Sequence, residues 1–273
     1  MAVLRLSFTN LDEAAAASVT GSGQACTFCS SEAQQPQRPF RPWRTLTTTT
    51  PQDWLLDLGS SQTLDVIALI NAGFTSATIQ GASSSGLFGA PGYTQAITLT
   101  RDPLTWRYQL AHLPVAFGYR WLRVKLDGST STVATGPSLG STYFSLGGVW
   151  AGVLTSAPSH LMWGAHMKAI LPKLDVGPAH GGWVQRLRMG EPRAQISGTI
   201  SANITPATPL LGDDADLWSD ILRQWIAADY AYLYTNLGDP AQGRVMRCTD
   251  DIDYQVDGTR VLVHVLLDEV VGP

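Results

Sequence analysis

The sequence of 273 residues has few charged side chains. Asp, Glu, Lys and Arg make up 15% of it, whereas an ordinary soluble domain has roughly 25%. The formal net charge is -4, so no basic field exists that would hold a phosphate backbone, and nucleic acid is not an expected ligand. The sparse charge predicts a surface covered by other copies or partner proteins. The alternative is a monomer with a polar surface of Ser and Thr.

Cysteine is also scarce. Cys26, Cys29 and Cys248 are an odd number and do not form a disulfide framework. The C-x-x-C spacing of Cys26 and Cys29 matches half of a zinc or iron–sulfur site, but a second half with that spacing is absent. We therefore predict reduced thiols, no metal and no cofactor. The alternative is a metal site completed by Cys248 and one of the five histidines, His112, His160, His166, His180 and His264.

Long apolar runs are missing. No stretch approaches the 18 or so apolar residues that a membrane-spanning helix needs. The N-terminal residues lack the cationic segment and apolar core of a secretory signal. We expect a soluble protein that is made in a cytoplasm and has no membrane partner.

Sequence motifs of common enzymes are missing as well. The chain has no G-x-S-x-G, H-E-x-x-H, G-x-x-x-x-G-K-[ST] or strand–G-x-G-x-x-G–helix pattern. Asp213, Asp214, Asp216 and Asp220 crowd the start of a predicted helix, where capping explains them better than catalysis. The acidic segment 248–258 does not fit a calcium-binding loop. These absences predict a protein that is not an enzyme. The hydrolase alternative is disfavoured because no residue can be named as its nucleophile or its base.

The first half of the chain shows the period-two pattern of β-strands. In "DWLLDLG", Trp54, Leu56 and Leu58 fall on one face, and Gly59 to Ser61 are predicted to turn the chain. Short strands follow at even intervals without room for crossover helices, which predicts a β-sandwich. We place Trp54, Trp121 and Trp150 in its core.

Aromatic and polar residues in the predicted loops form a candidate contact site. A strand is predicted at residues 3–8, and a long loop follows it. Loops of that length are usually functional or ordered by a partner. Sugar-binding sandwiches stack an aromatic ring on the sugar and hold its hydroxyl groups with polar side chains. The candidate residues for a glycan or a partner protein, with burial against a neighbouring subunit preferred, are Phe40, Arg41, Trp43, Arg44, Asn71 and Tyr93.

The second half combines strands with one helix. Residues 182–190 and 193–203 alternate and are joined by Glu-Pro, which predicts a hairpin. Asp257-Gly258 marks a second hairpin. This pattern predicts a small open or split β-barrel crossed by a helix that is capped by Asp213 or Asp214. The helix is predicted to bury the stripe Leu217, Trp218, Ile221, Leu222 and Trp225.

Several segments in order resemble a known family of sandwiches. "RPFRPWR", "WLLDLGSSQTLDVIALI", "ATIQGASS" and "YRWLRVKL" look like the discoidin-like, or galactose-binding-like, domain, in the version found in tail and baseplate proteins of long-tailed bacteriophages. The second half resembles, more loosely, the β-barrel domains of phage distal-tail and tail-hub proteins. The resemblance implies a mainly β chain with a discoidin-like jelly-roll β-sandwich at 1–152 and a β-barrel/helix assembly domain at 153–273.

The same resemblance implies a non-enzymatic structural component of a phage tail tip or baseplate. Such a virion protein, synthesised in the bacterial cytoplasm, is expected to form a homo-oligomeric ring, a hexamer or trimer, at the end of the tail tube. Its partners would be the tail tube, the hub and the fibres. The alternative is a carbohydrate-binding module of a host-recognition apparatus.

Overall fold

The computed structural model describes residues 4–13, 18–21, 29–35, 42–49, 51–102, 108–127, 143–157, 166–170, 173–178, 184–189, 193–203, 214–234, 243–248, 253–257 and 260–270. These residues are mostly strand, and the predicted mainly β fold class is confirmed. The strands in chain order are β1 (Arg5–Ser7), β2 (Ser18–Gly21), β3 (Trp43–Arg44), β4 (Gln52–Leu64), β5 (Val66–Ala72), β6 (Ser76–Ala82), β7 (Tyr93–Thr98), β8 (Thr100–Arg101), β9 (Tyr108–His112), β10 (Phe117–Leu126), β11 (Ser145–Gly152), β12 (Thr155–Ser156), β13 (His166–Ile170), β14 (Lys173–Pro178), β15 (Val184–Met189), β16 (Arg193–Asn203), β17 (Ala231–Tyr234), β18 (Arg244–Cys248), β19 (Asp253–Asp257) and β20 (Arg260–Glu269).

The strands form three larger sheets and one hairpin. The Trp54 sheet has the order β2-β4-β10-β6-β7, and the Trp150 sheet has the order β3-β11-β5-β9-β8. The helix sheet has the order β12-β1-β17-β18-β20-β16-β13, with β19 also paired to β20. The hairpin consists of β14 and β15, and the α-helix α1 spans Asp214–Ala228.

The Trp54 and Trp150 sheets pack face to face as a β-sandwich. Along β4, Trp54 and Leu56 are buried and alternate with the half-exposed Asp53 and Leu55, as the period-two pattern predicts. Val149 from the other sheet joins the same apolar core. The predicted β-sandwich is therefore confirmed.

Two predicted details of this sandwich are wrong. Trp121 is half-exposed on the outer face, because the register of β10 against β4 shifts between Tyr119 and Trp121. This bulge reverses the alternation, so Phe117 before it and Leu122 after it both point into the core. The turn predicted at Gly59 to Ser61 lies instead within the long strand β4, where Gly59 has a φ of 77°.

In the second half, α1 packs on the helix sheet. Four of the five residues of the predicted stripe are buried: Trp218, Ile221, Leu222 and Trp225. The fifth, Leu217, is 46% exposed, because it lies at the margin of the contact stripe. Asp213, one of the two predicted capping residues, lies outside the described residues. Trp225 donates a hydrogen bond from its indole nitrogen to the carbonyl oxygen of Met246 at 3.2 Å, which fixes the helix on the sheet.

The two predicted hairpins of this half have different outcomes. Asp257 pairs with Arg260, so β19 and β20 form a hairpin as predicted. The predicted hairpin of 182–190 with 193–203 is wrong, because β15 pairs with β14 while β16 pairs with β13 and β20. The nine-residue ladder between β16 and β20 is a longer pairing than a hairpin with β15 would provide.

The sandwich and the helix sheet meet in a common apolar contact. β1 pairs with both β12 and β17, so the N-terminal strand lies in the helix sheet. The predicted boundary between 152 and 153 falls between β11 and β12 and stays a prediction. Trp150 is buried in the contact between the two halves rather than in the sandwich core, which corrects its predicted place. Its ring stacks on Tyr232, with 5.8 Å between the centroids, and its indole nitrogen donates to Oγ of Ser7 at 3.0 Å.

No α-helix in the described part of the chain combines the length and apolarity that crossing a membrane requires.

Candidate functional site

The sandwich has two distinct ends, which the register of β5 identifies. At one end, Ile67 of β5 pairs with His112 and Ala151, and β11 leads from there into the helix sheet. At the opposite end, Ala72 of β5 pairs with Tyr108 and Leu146. We call the first the proximal end and the second the distal end.

An arginine and a tyrosine stack at the distal end. The guanidinium carbon of Arg44 lies 5.0 Å from the centroid of the Tyr143 ring, within the range of a cation–π contact. Arg44 and Tyr143 are both half-buried. The short strand β3 places Arg44 here, because Arg44 pairs with Ser145 of β11. An aromatic ring and a guanidinium group are therefore stacked on each other at the rim.

Asn71 lies on the other side of Ser145. The backbone nitrogen of Gly73 donates to the carbonyl oxygen of Ser145 at 2.7 Å, so two strand spacings, roughly 10 Å, separate the backbones of Arg44 and of this bend. Asn71 has a φ of 51°, a left-handed conformation that Asn tolerates better than most residues. Two residues further on, a Cβ atom at Gly73 would collide with Oγ of Ser145, so a side chain there would require Ser145 to move.

The structure divides the set of residues predicted as a contact site. Arg44 and Asn71 lie at the distal end. Phe40 and Arg41 lie outside the described residues. The prediction for Trp43 is wrong, because its side chain is fully buried in the sandwich core, close against Gly21. The indole of Trp43 therefore cannot serve as a surface for stacking a ligand.

Tyr93 lies at the proximal end. Its hydroxyl group and Nε2 of His112 are 2.5 Å apart, a hydrogen bond that joins the two sheets. Burial lowers the pKa of His112 and raises the pKa of Tyr93, so both groups are neutral at pH 7. His112 pairs with Ile67, which is four residues before Asn71 along β5, a separation of about 13 Å. Tyr93 therefore does not share a site with Arg44 and Asn71.

Sequence reasoning missed Tyr143 and Tyr108 as members of the distal end. Tyr108 is half-buried and pairs with Ala72, next to Asn71. Tyr143 comes two residues before β11 begins. The available signal was an aromatic residue at the end of a long polar segment, shortly before a predicted strand. The partner of its ring, Arg44, is 99 residues away in the sequence and is not visible from local patterns.

The chemistry of the distal end suits binding. A tyrosine ring offers a flat apolar face, while guanidinium and amide groups donate hydrogen bonds to oxygen atoms of a ligand. Within the described ranges, no group of three or more His, Cys, Asp or Glu side chains lies together as metal ligands would. Cys29 and Cys248 are not in a disulfide, and Cys26 is outside the described residues.

Comparisons with known proteins found matches only among solved structures. No family model matches, and no curated protein matches. A chitosan-binding module of a chitosanase/glucanase from Paenibacillus sp. IK-5 is 23% identical, with 52% of this chain and 97% of that chain covered and a TM-score of 0.39. A lectin domain of lectinolysin complexed with Lewis b is 16% identical over 53% of this chain and 96% of that chain, with a TM-score of 0.39. A fucose-binding module of Streptococcus pneumoniae is 15% identical over 52% of this chain and 96% of that chain, with a TM-score of 0.38.

Proposed function

We propose that the chain is a binding module and that the distal end of its sandwich binds a carbohydrate on a surface. The observation that carries the proposal is the contact of Arg44 with Tyr143 at 5.0 Å. It brings a tyrosine ring and a charged donor together, and the bend at Asn71 lies two strand spacings away across the rim. A sugar needs both, because its ring presents C–H groups to an aromatic face while its hydroxyl groups require donors and acceptors.

The position of this end favours the same role. The Trp150 sheet is covered by the helix sheet, through Trp150, Tyr232 and Tyr234 among others. Arg44 and Tyr143 at the distal end keep part of their surface exposed, so a ligand can reach them without displacing the second half. Binding sites on loops and strand ends that are supported by a rigid sheet are common in β-sandwiches.

An array of immobilised oligosaccharides, neutral and acidic, tests the proposal with the full chain. The expected result is binding to at least one oligosaccharide, and a loss of that signal in Arg44→Ala. Arg123→Ala is a matched control, because Arg123 stacks on Phe88 at 5.2 Å on a different surface of the sandwich. The absence of binding to every oligosaccharide at millimolar concentration would end the proposal.

A second candidate function is assembly, and one observation favours it. Among the described strands, β7 is an edge of the Trp54 sheet, and its exposed residues Thr94, Gln95, Ala96 and Thr98 are all uncharged. In natural proteins, the edge strands of sheets are usually protected against pairing with other chains by charged residues, by proline or by their short length. We propose that copies of the chain pair at this edge, as a structural protein of a phage tail tip would in a ring of six or three copies.

Native mass spectrometry of the full chain tests the assembly. The expected result is a closed oligomer that Ala96→Lys converts to a monomer, because a charge on an edge strand opposes pairing. Val153→Lys is a control for a general effect of added charge at an exposed apolar residue away from β7. A wild-type protein that stays monomeric at micromolar concentration contradicts this candidate, and does not affect the carbohydrate proposal.

A further inference from the structure

The contact between the two halves contains a buried cluster of charged side chains. Arg244 of β18 is 3% exposed, and it forms ion pairs with Asp102 of the sandwich and with Glu269 of β20. The guanidinium nitrogen and the carboxylate oxygen of the Glu269 pair are 3.4 Å apart. Asp102 is fully buried and Glu269 is 5% exposed. One arginine of the second half is therefore held between a carboxylate of each half.

Asp102 connects this cluster to the distal end. It directly follows Arg101 of β8, and Arg101 pairs with Tyr108 of β9. Gln109, the next residue of β9, donates a hydrogen bond to a carboxylate oxygen of Asp102 at 2.9 Å. The two strands that carry Arg101 and Tyr108 to the rim are thus both attached to the carboxylate that Arg244 holds.

Glu269, the partner of Arg244 within the second half, is also anchored. Glu269 accepts a hydrogen bond from the backbone nitrogen of Ala194 at 2.7 Å, so the carboxylate is tied to β16 as well. A buried charge pair contributes little net stability compared with an apolar replacement, but the loss of one partner costs a large amount because the other charge remains without compensation. The effect that we attribute to the buried pair is to fix the positions of the strands that carry its members.

We propose that Arg244 is a positioning residue for the carbohydrate site: it holds β8 and β9 in the register that sets the place of Tyr108 and Asn71 at the rim. This inference depends on the proposed carbohydrate function for its effect on affinity. Its structural part, the restraint of β8 and β9 by the second half, does not depend on that function. The helix sheet is then a support for the binding end and not a separate unit that is merely linked to the sandwich.

The variant that tests the proposal removes all three charges together. Arg244→Met alone leaves two buried carboxylates and can prevent folding. The triple variant Asp102→Asn/Arg244→Met/Glu269→Gln keeps the shapes and leaves no uncompensated charge. Arg247→Met is the matched control, because Arg247 lies on the same strand and pairs with Asp229, but its side chain is 47% exposed.

Two readouts separate this inference from the proposed function. Hydrogen–deuterium exchange, measured without any sugar, is expected to become faster in the peptides covering 99–112 of the triple variant and to stay unchanged in Arg247→Met. Titration with the oligosaccharide that gives the strongest array signal is expected to show a Kd about tenfold weaker, equal to about 1.4 kcal/mol, with unchanged stoichiometry.

A folded triple variant with wild-type exchange in 99–112 overturns the inference, as does wild-type affinity. A wild-type chain that binds no sugar overturns the carbohydrate proposal and the effect on affinity, while the exchange experiment still decides whether Arg244 restrains the strands.

Discussion

Arg120 and Asp57 form a two-pronged ion pair at the bulge of the Trp54 sheet. Nε and one terminal nitrogen of Arg120 each lie 2.7 Å from a different carboxylate oxygen of Asp57. The backbone nitrogen of Gly59 donates to the same carboxylate at 2.9 Å. The pair therefore joins the two strands at the point where their register shifts, and it fixes Trp121 on the outer face.

Asp57→Asn is expected to destabilise the chain at neutral pH. Hydrogen bonds from Arg120 lower the pKa of Asp57, so the stabilisation by its carboxylate is fully present above the unfolded value of about 3.9 and is lost as the pH falls through the lower folded value. Urea unfolding at pH 7 should show a lower midpoint for Asp57→Asn, and the difference from wild type should shrink below pH 4. Asp127→Asn is the control, because the carboxylate of Asp127, which pairs with Lys125, is 47% exposed and such a pair contributes little. Equal midpoints of Asp57→Asn and wild type at pH 7 would contradict this role.

For Asp12 we expect the opposite dependence of stability on pH. Its carboxylate is fully buried, and neither of its oxygens has a hydrogen-bond partner among the residues that the structure describes. Burial, and to a smaller extent the charge of Glu13, raises the pKa of Asp12 well above its usual value. The folded state therefore binds a proton more tightly than the unfolded chain, and stability falls as the pH rises from about 4 towards the folded pKa.

The variant Asp12→Asn removes this penalty. Below about pH 3 its free energy of unfolding should be close to that of wild type, because the wild-type side chain is then largely protonated in both states. Above that pH the variant should become the more stable protein, and the gap should widen until the folded pKa is passed. Urea titrations at several pH values measure this gap. A variant that is less stable than wild type at pH 7 would show that the charge of Asp12 is compensated.

Gly152 is expected to tolerate no side chain. A Cβ atom there would collide with the carbonyl oxygen of Thr9 and with Oγ of Ser7, at the contact between the halves. Gly152→Ala should lower stability by about 1–3 kcal/mol, the usual cost of overpacking. Gly118 is the matched position, because a Cβ atom there would meet nothing within 4 Å, and Gly118→Ala should change stability by less than about 0.5 kcal/mol. Thermal unfolding of both variants provides the comparison, and equal shifts would contradict it.

The helix offers a similar pair of substitutions. Trp225 is 3% exposed and Leu217 is 46% exposed. Trp225→Ala should cost about 3–5 kcal/mol, because it leaves a cavity between α1 and the helix sheet, whereas Leu217→Ala should cost less than about 0.5 kcal/mol. Denaturant unfolding followed by far-UV circular dichroism measures both. A large loss in Leu217→Ala would mean that this side chain is covered in solution, as it would be in an oligomer.

Local patterns predicted those features that local physics controls. The alternation along β4 predicted the burial of Trp54 and Leu56, because the pleat of a strand determines which side chains share a face. The spacing of Trp218, Ile221 and Trp225 predicted the buried stripe of α1 for the same kind of reason. These elements need only their own residues to define a face.

Contacts between distant parts of the chain explain the remaining differences. Trp121 lies outside the core because of a bulge in the pairing of β10 with β4, where its partner Asp57 is 64 positions earlier. Trp43 is buried because Gly21 leaves room for its ring. Tyr143 became part of the candidate site through Arg44, and Arg244 through Asp102. None of these relationships has a period or a motif in the sequence, since each depends on how two sheets meet.

Titration calorimetry of the full chain with simple sugars tests the central claim most directly. The panel consists of a neutral hexose, a deoxyhexose, an N-acetylhexosamine and a hexuronic acid. Wild type should bind at least one of them at a single site with a Kd of about 1 mM or tighter. Tyr143→Ala should abolish this heat, while Trp121→Ala, which removes the ring of a comparable arginine–aromatic pair on another surface, should retain it. No saturable heat with any sugar, or equal affinities of Tyr143→Ala and wild type, would contradict a carbohydrate site at the distal end.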